Sequence, residues 1–289
     1  MTSTPVAERP RPAATLILLR DGEQGVEALM LKRHGLSDAC GEAFVFPGGK
    51  LVAADAAVGM SPDAIDAAPA ELHARLGEGD IDLSFAAGLF VAAIREAAEE
   101  ADVLLAQGTQ PDAVTAALEA LRAGTPFAAA LASTRVRLLA SALQPWARWI
   151  TPVGRLQPKR FDARFFVARG PVDAVARHDG HETTEAAWLR PREALERYWA
   201  REIALAPPQI MTLAHFARLR DVDRILAEAR SRPPLHVQPH VLDEPGGMTL
   251  CLPGDPAHPV AARAMPGPLR LAVRDKRFEP EGGLAAFFD

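Results

Sequence analysis

Three carboxylates, Glu96, Glu99 and Glu100, stand at i, i+3 and i+4 in an otherwise apolar segment, 84–101. At 100° per residue they share one face of a helix, while Phe90, Val91, Ile94, Ala97, Ala98 and Ala101 make a stripe on the other. Like charges so spaced repel by about 0.2–0.5 kcal/mol per pair unless a cation relieves them. Hard oxygen donors of this kind suit Mg²⁺ or Mn²⁺, held jointly by carboxylates and the oxygens of a phosphate substrate. Arg95 sits four residues before Glu99, within reach of an ion pair. By itself the pattern equally describes an ordinary surface helix, apolar inside and acidic outside.

Other residues bear on that choice. Gly48 and Gly49 follow Phe46 and Pro47 in a turn where the missing Cβ atoms let backbone come close to an ion. Between positions 50 and 102 there are eleven Asp and Glu against three Lys and Arg. Between 144 and 169 six bases (Arg148, Arg155, Lys159, Arg160, Arg164, Arg169) face one acid, Asp162. An acidic and a basic segment suit a metal and a phosphate, or simply two solvated faces. Arg160, and after it Arg33 at the end of a strand, are the candidate substrate cations. His34, His178 and His181 lack metal-binding spacing and read as loop residues. There is no GxSxG and no GxxxxGK[ST], which excludes serine hydrolases of that type and P-loop enzymes.

The elements that must position these groups follow from periodicity and punctuation. Strands are expected at 13–19, 26–32 and 43–46, then at 147–153, 161–168 and 184–189. Helices are expected at 84–101, 111–122, 126–142, 191–200, 208–219 and 221–230. Residues 56–83 read as an irregular, Ala-rich insertion, with a short helix from Ser61-Pro62 that Pro69 ends. Ten of the 25 prolines fall after residue 231, so that segment reads as loop-rich, with short strands at 248–252 and 269–273.

With 289 residues, 48% hydrophobic and 24% charged, the chain can bury a large core, and a formal charge of −5 gives no general attraction to nucleic acid or anionic membranes. Two cysteines, Cys40 and Cys251, build neither a disulfide framework nor a zinc cluster and fit a reducing compartment. No window approaches the apolar length of a membrane span, and no targeting signal is evident at either terminus, so a cytoplasmic location is expected.

Together, Gly49, Asp55 and the run Arg95-Glu96-Ala97-Ala98-Glu99-Glu100-Ala101-Asp102-Val103 resemble the Nudix box, Gly-x5-Glu-x7-Arg-Glu-U-x-Glu-Glu-x-Gly-U. Asp55 replaces the first Glu, Ala97 a bulky apolar residue and Asp102 the last Gly, and 32 extra residues separate the two halves. That insertion resembles the Nudix subfamily of the mammalian peroxisomal coenzyme A diphosphatase, as do WARWITPVGR at 146–155, Arg160-Phe161-Asp162, Glu182 before Trp188-Leu189, and EIALAPPQ at 202–209. The resemblance implies an α/β fold, an α/β/α sandwich around a mixed sheet, with a catalytic domain at 13–230, a helical insertion and a loop-rich C-terminal extension at 231–289. It implies Mg²⁺ or Mn²⁺ on Glu96, Glu99, Glu100 and the Gly49 carbonyl, with Arg95 orienting a carboxylate and Glu182 as a base or supporting residue. Gly48, Gly49, Arg33 and Arg160 would meet a small-molecule diphosphate, coenzyme A or an acyl-coenzyme A, cleaved to 3′,5′-ADP and a phosphopantetheine. Another dinucleotide or nucleotide sugar, or a non-catalytic Nudix-derived regulator, stays open, as does a homodimer.

Overall fold

A computed structural model describes residues 9–34, 42–153, 159–171, 177, 182–244 and 247–289. Its centre is an eight-stranded mixed sheet: β1 (Arg11–Gly22), β2 (Gly25–Arg33), β3 (Phe44–Val45), β4 (Gly48–Lys50), β7 (Gln144–Ile150), β8 (Phe161–Arg169), β9 (Thr183–Leu189) and β10 (Leu235–Val237). The order is β10-β7-β8-β1-β2-β3, with β4 beside the start of β1 and β9 beside β2. β1 runs parallel to β8 and β10 parallel to β7, and the other pairs are antiparallel. β1 is central and buried on both faces: Ala14, Leu16 and Leu18 point to one layer, Ile17 and Leu19 to the other. Each such buried Leu or Ile contributes roughly 1.5–3 kcal/mol of transfer free energy.

The first layer holds α1 (Ala53–Gly59), α2 (Pro69–Leu76), α3 (Leu83–Ala101), α4 (Ala113–Arg122) and α5 (Phe127–Thr134), with a hairpin of β5 (Ala106–Gly108) and β6 (Val136–Leu138). On the opposite face lie α6 (Pro191–Trp199), α7 (Pro207–Phe216) and α8 (Val222–Ser231). Asp82 starts α3 by accepting the Phe85 N–H at 2.7 Å, and Asp102 ends it in the left-handed region at φ 57°. An aspartate thus takes the backbone shape for which the Nudix pattern has glycine, and Arg122 holds its carboxylate at 3.0 Å.

The insertion departs from the sequence expectation. No helix starts at Ser61-Pro62; Pro69 begins α2 at its first position, where the lost N–H needs no partner, rather than ending a helix. Nor is the segment a surface loop. Ile65, Leu72 and Leu76 are buried with α3 in one cluster, and Ile65 bridges Leu138. α1 lies so close to α3 that a Cβ on Gly59 would come within 2.8 Å of the Ala87 Cβ. The helix expected at 126–142 stops at Thr134, because Arg135 turns left-handed (φ 54°) and the chain continues as β6.

The proline-rich end is more ordered than its composition implies. β11 (His240–Glu244), β12 (Gly247–Cys251), β13 (Arg270–Arg274) and β14 (Arg277–Pro280) form an antiparallel sheet, while β10 extends the central one. Val237, Leu250, Leu252, Met265, Leu271 and Phe287 share the core of α6 to α8, and the Tyr198 hydroxyl accepts from the Phe278 N–H (2.8 Å) and donates to its carbonyl (3.1 Å). Residues beyond 231 therefore pack as part of the second layer.

Candidate functional site

β4 carries the glycine turn along the first residues of β1, with Gly48 opposite Thr15 and Gly49 opposite Ala14. The carboxylate end of α3 lies directly over it. A Cβ on Gly49 would stand 2.3 Å from Glu96 Oε1, and one on Gly48 would stand 2.7 Å from the Ala14 carbonyl oxygen. Gly48 therefore requires glycine because backbone lies in the way, while a side chain at Gly49 would displace the Glu96 carboxylate. The Gly48 N–H donates to Glu100 Oε2 at 2.9 Å, pinning that carboxylate to the turn.

Arg95 is the hub of the cluster. Its Nε donates to Asp55 Oδ1 (2.8 Å) and its Nη2 to Asp55 Oδ2 (3.1 Å), a two-point pair across 40 residues of sequence. Its Nη1 lies 2.8 Å from Glu96 Oε1 and 2.9 Å from Glu99 Oε2, and Nη2 also reaches the Lys50 carbonyl at 3.0 Å. Asp55 is 1% exposed and also accepts the Val52 N–H at 3.0 Å. Although burial disfavours the Arg95 cation, Asp55, Glu96 and Glu99 more than offset that and hold it charged above the usual arginine range. Sequence reasoning placed Asp55 in the motif without giving it a site role; its five-residue spacing from Gly49 was the signal.

The charges are not balanced. Burial raises the Glu100 carboxyl to about 8; the Gly48 N–H and Arg33 oppose this, and Glu96 and Glu182 add to it. Burial likewise raises Glu96, against Arg95. Arg33 and Glu182 thus both lie within electrostatic reach of Glu100. The strands explain this: Arg33 at the end of β2 pairs with Thr183 beside a register shift, and the His34 N–H donates to the Glu182 carbonyl at 2.8 Å. Sequence reasoning missed Thr183, buried, whose hydroxyl lies 3.5 Å from the Glu100 carbonyl, and the Arg177 N–H, which donates to the Ala101 carbonyl at 3.1 Å. These contacts tether Arg177 and the first residue of β9 to the C-terminus of α3.

Arg160 is not part of this cluster. It lies in the connection between β7 and β8, where its Nε donates to the Thr151 carbonyl at 3.1 Å. The basic segment is also less available than its +5 balance suggested. Arg148 and Arg164 pair with Asp162 and Glu78, and Arg169 with Asp21 and Asp223. Lys159 shares the connection with Arg160, while Arg155, His178, His181 and Cys40 lie outside the described residues.

Among the described residues, no three His, Cys, Asp or Glu side chains converge on one point as they stand: Glu100 is turned to Gly48, and Glu96 and Glu99 to Arg95. The donor set of carboxylates with the Gly49 backbone nevertheless fits a hard divalent cation, and the raised Glu96 and Glu100 carboxyls mark a burial cost, added to by neighbouring carboxylates, that Arg95 and Arg33 do not offset.

The sequence profile of the NUDT19 Nudix domain matches residues 69–216, from the start of α2 through α7 and just over half of the chain. An acyl-coenzyme A diphosphatase NUDT19 of Gallus gallus is 30% identical over 279 residues, covering 81% of this chain and 73% of that protein. The Homo sapiens protein of the same name is 29% identical over 296 residues, covering 88% and 75%. The crystal structure of a NUDIX hydrolase from Alicyclobacillus acidocaldarius superposes with a TM-score of 0.60 at 26% identity, covering 78% of this chain and 97% of that one. With the glycine turn, the carboxylate helix and the mixed sheet in place, the chain belongs to the NUDT19 Nudix domain family of Nudix hydrolases.

Proposed function

We propose that the protein is a metal-dependent diphosphatase of coenzyme A and acyl-coenzyme A, releasing 3′,5′-ADP and a phosphopantetheine. The observation that carries the reading is the row of Glu96, Glu99 and Glu100 over Gly48 and Gly49, fixed by the Arg95–Asp55 pair and the Gly48 N–H, in a family with relatives named acyl-coenzyme A diphosphatase. Those glutamates and the Gly49 carbonyl would hold Mg²⁺ or Mn²⁺. When bound, such an ion neutralises diphosphate charge and lowers the pKa of a water for in-line attack on phosphorus.

The chain's own residues have distinct tasks. Arg95 fixes the directions of Glu96 and Glu99 before substrate arrives, and buried Asp55 fixes Arg95. Glu182, which acts electrostatically on Glu100, is the base or supporting carboxylate we assign. Arg33 offers a cation on the β2 side of the cluster; Arg160, beyond β1, serves an anion farther from the diphosphate. The compartment we assign is the cytoplasm; among the described residues no helix is long and apolar enough to cross a membrane.

The test is product release across a panel of diphosphates with Mg²⁺ or Mn²⁺. Coenzyme A or its thioesters should be cleaved most efficiently. Dephospho-coenzyme A should be a poorer substrate, because losing a charge-assisted contact to the 3′-phosphate costs about 1.5–3 kcal/mol, and Arg160→Ala should narrow that difference. Far more efficient cleavage of ADP-ribose or a diadenosine compound would overturn the substrate assignment. A folded protein that binds nucleotides and hydrolyses none would be a regulator instead.

A further inference from the structure

The insertion that divides the catalytic motif sends one side chain to the opposite end of the first layer. Glu78, just after α2, accepts from Arg164 of β8 through both oxygens, Nε to Oε1 at 3.0 Å and Nη2 to Oε2 at 2.6 Å. Its Oε2 also lies 2.9 Å from Arg148 Nη1 of β7. Asp162 takes two donors from Arg148 at 2.8 Å each and lies 3.0 Å from Arg164 Nη1. The four side chains form a neutral quartet, with Arg164 4% and Glu78 11% exposed.

Arg148 and Arg164 are direct partners in the β7–β8 pairing, so their side chains leave the same face of the sheet. Like charges directly opposite one another drive strands apart. Asp162, on β8 itself, supplies one compensating charge; the second comes from the insertion. Without Glu78, the two guanidinium groups would share Asp162 as their paired carboxylate in a largely buried row, with Asp80 acting on Arg148 only through its charge.

This row is the root of the connection that carries Lys159 and Arg160. Above it the strands close through Ile150 opposite Asp162, the Thr151 N–H donating to the Phe161 carbonyl (2.8 Å), and the Phe161 N–H donating to the Thr151 hydroxyl (3.0 Å). On the other side of β8, Asp162 pairs with Pro12 of β1, whose carbonyl accepts the Leu51 N–H at 3.1 Å, next to the Lys50 carbonyl held by Arg95. Two strand spacings, about 10 Å, therefore separate the root of this basic connection from Leu51, at the end of the glycine turn.

We propose that Glu78 is a positioning residue: through Arg148 and Arg164 the insertion sets the start of β8, and with it the adjoining Lys159 and Arg160, at the place where the substrate's second anionic group binds. The inference rests on the functional reading above and adds the role of the insertion in it. Stability alone does not call for this arrangement, since apolar packing commonly replaces a buried ion network without loss. A quartet of charges does fix how the ends of β7 and β8 lie against one another.

The experiment compares wild type with Glu78→Gln, which keeps the side-chain shape and removes the charge. It measures kcat and KM for coenzyme A and dephospho-coenzyme A with Mg²⁺, alongside circular dichroism and melting. We expect KM for coenzyme A to rise about tenfold with kcat within about threefold, and KM for dephospho-coenzyme A to change less than about twofold. If Glu78→Gln does not fold, the double variant Glu78→Leu/Arg164→Met restores neutrality with apolar bulk, and the same KM pattern is expected from it. A lowered melting temperature with both KM values as in wild type would make the quartet purely structural and overturn the proposal. A wild type that cleaves no coenzyme A compound would instead overturn the functional reading on which it rests.

Discussion

Replacing Glu100 with glutamine should stabilise the metal-free fold while abolishing most of its activity. Glu100 is 6% exposed, and burial raises its carboxyl from 4.5 to about 8, with Glu96 and Glu182 adding to the shift against Gly48 and Arg33. A carboxyl whose pKa rises on folding binds its proton more tightly in the folded state, so without metal, stability falls as pH climbs from 4.5 through about 8. At about 1.4 kcal/mol for each tenfold change in proton affinity, the penalty above pH 8 has an upper bound near 5 kcal/mol. Glutamine keeps an oxygen for the Gly48 N–H and never ionises. Glu100→Gln should therefore be more stable than wild type at pH 8.5 by roughly 2–4 kcal/mol in chelator, with little difference at pH 4.5. Urea unfolding at the two pH values, with chelator and then with Mg²⁺, reads this directly. Added Mg²⁺ should stabilise wild type more than the variant, and turnover on any accepted diphosphate should drop by about 10² or more. Equal stability of the two proteins at pH 8.5 in chelator would refute the claim that negative charge at Glu100 is uncompensated. Unchanged turnover with added metal would refute its place in the site.

Other substitutions probe the remaining parts. Gly49→Ala puts a Cβ 2.3 Å from Glu96 Oε1, so Glu96 must move; turnover should fall at least about tenfold with the circular dichroism spectrum retained. Asp55→Ala leaves the partly buried Arg95 without its two-point partner, and urea unfolding should show a loss of about 3–5 kcal/mol. Leu72→Ala should cost about 2–5 kcal/mol in the same assay because Leu72 is fully buried in the core around α3, whereas at an exposed position the same change would register almost nothing. Asp102→Gly relieves a left-handed backbone but gives up the Arg122 contact, so its melting curve should stay within about 1 kcal/mol of wild type.

The chemistry of α3 was legible in the sequence because it is local: a 3.6-residue period puts Glu96, Glu99 and Glu100 on one face whatever surrounds them. The glycine turn was legible for the same reason, since close approach leaves few alternatives to Gly48 and Gly49. So were the central strands and the helices begun by Pro191 and Pro207. Tertiary structure decided what depends on residues far apart in the chain. Asp55 meets Arg95 across 40 positions, and Glu78 meets Arg164 across 86. Neither pairing leaves a periodic trace, and the second turns two arginines of the basic segment into the supports of a strand pair. The insertion read as irregular because it is rich in alanine and interrupted by Pro62 and Pro69; it is core because Ile65, Leu72 and Leu76 find apolar neighbours on α3 and β6 that composition cannot display. The tail forms a sheet for a related reason. The strands expected at 248–252 and 269–273 are β12 and β13, whereas β10, β11 and β14, three to five residues each, are too short to show a pattern among ten prolines and are fixed by the partners they pair with.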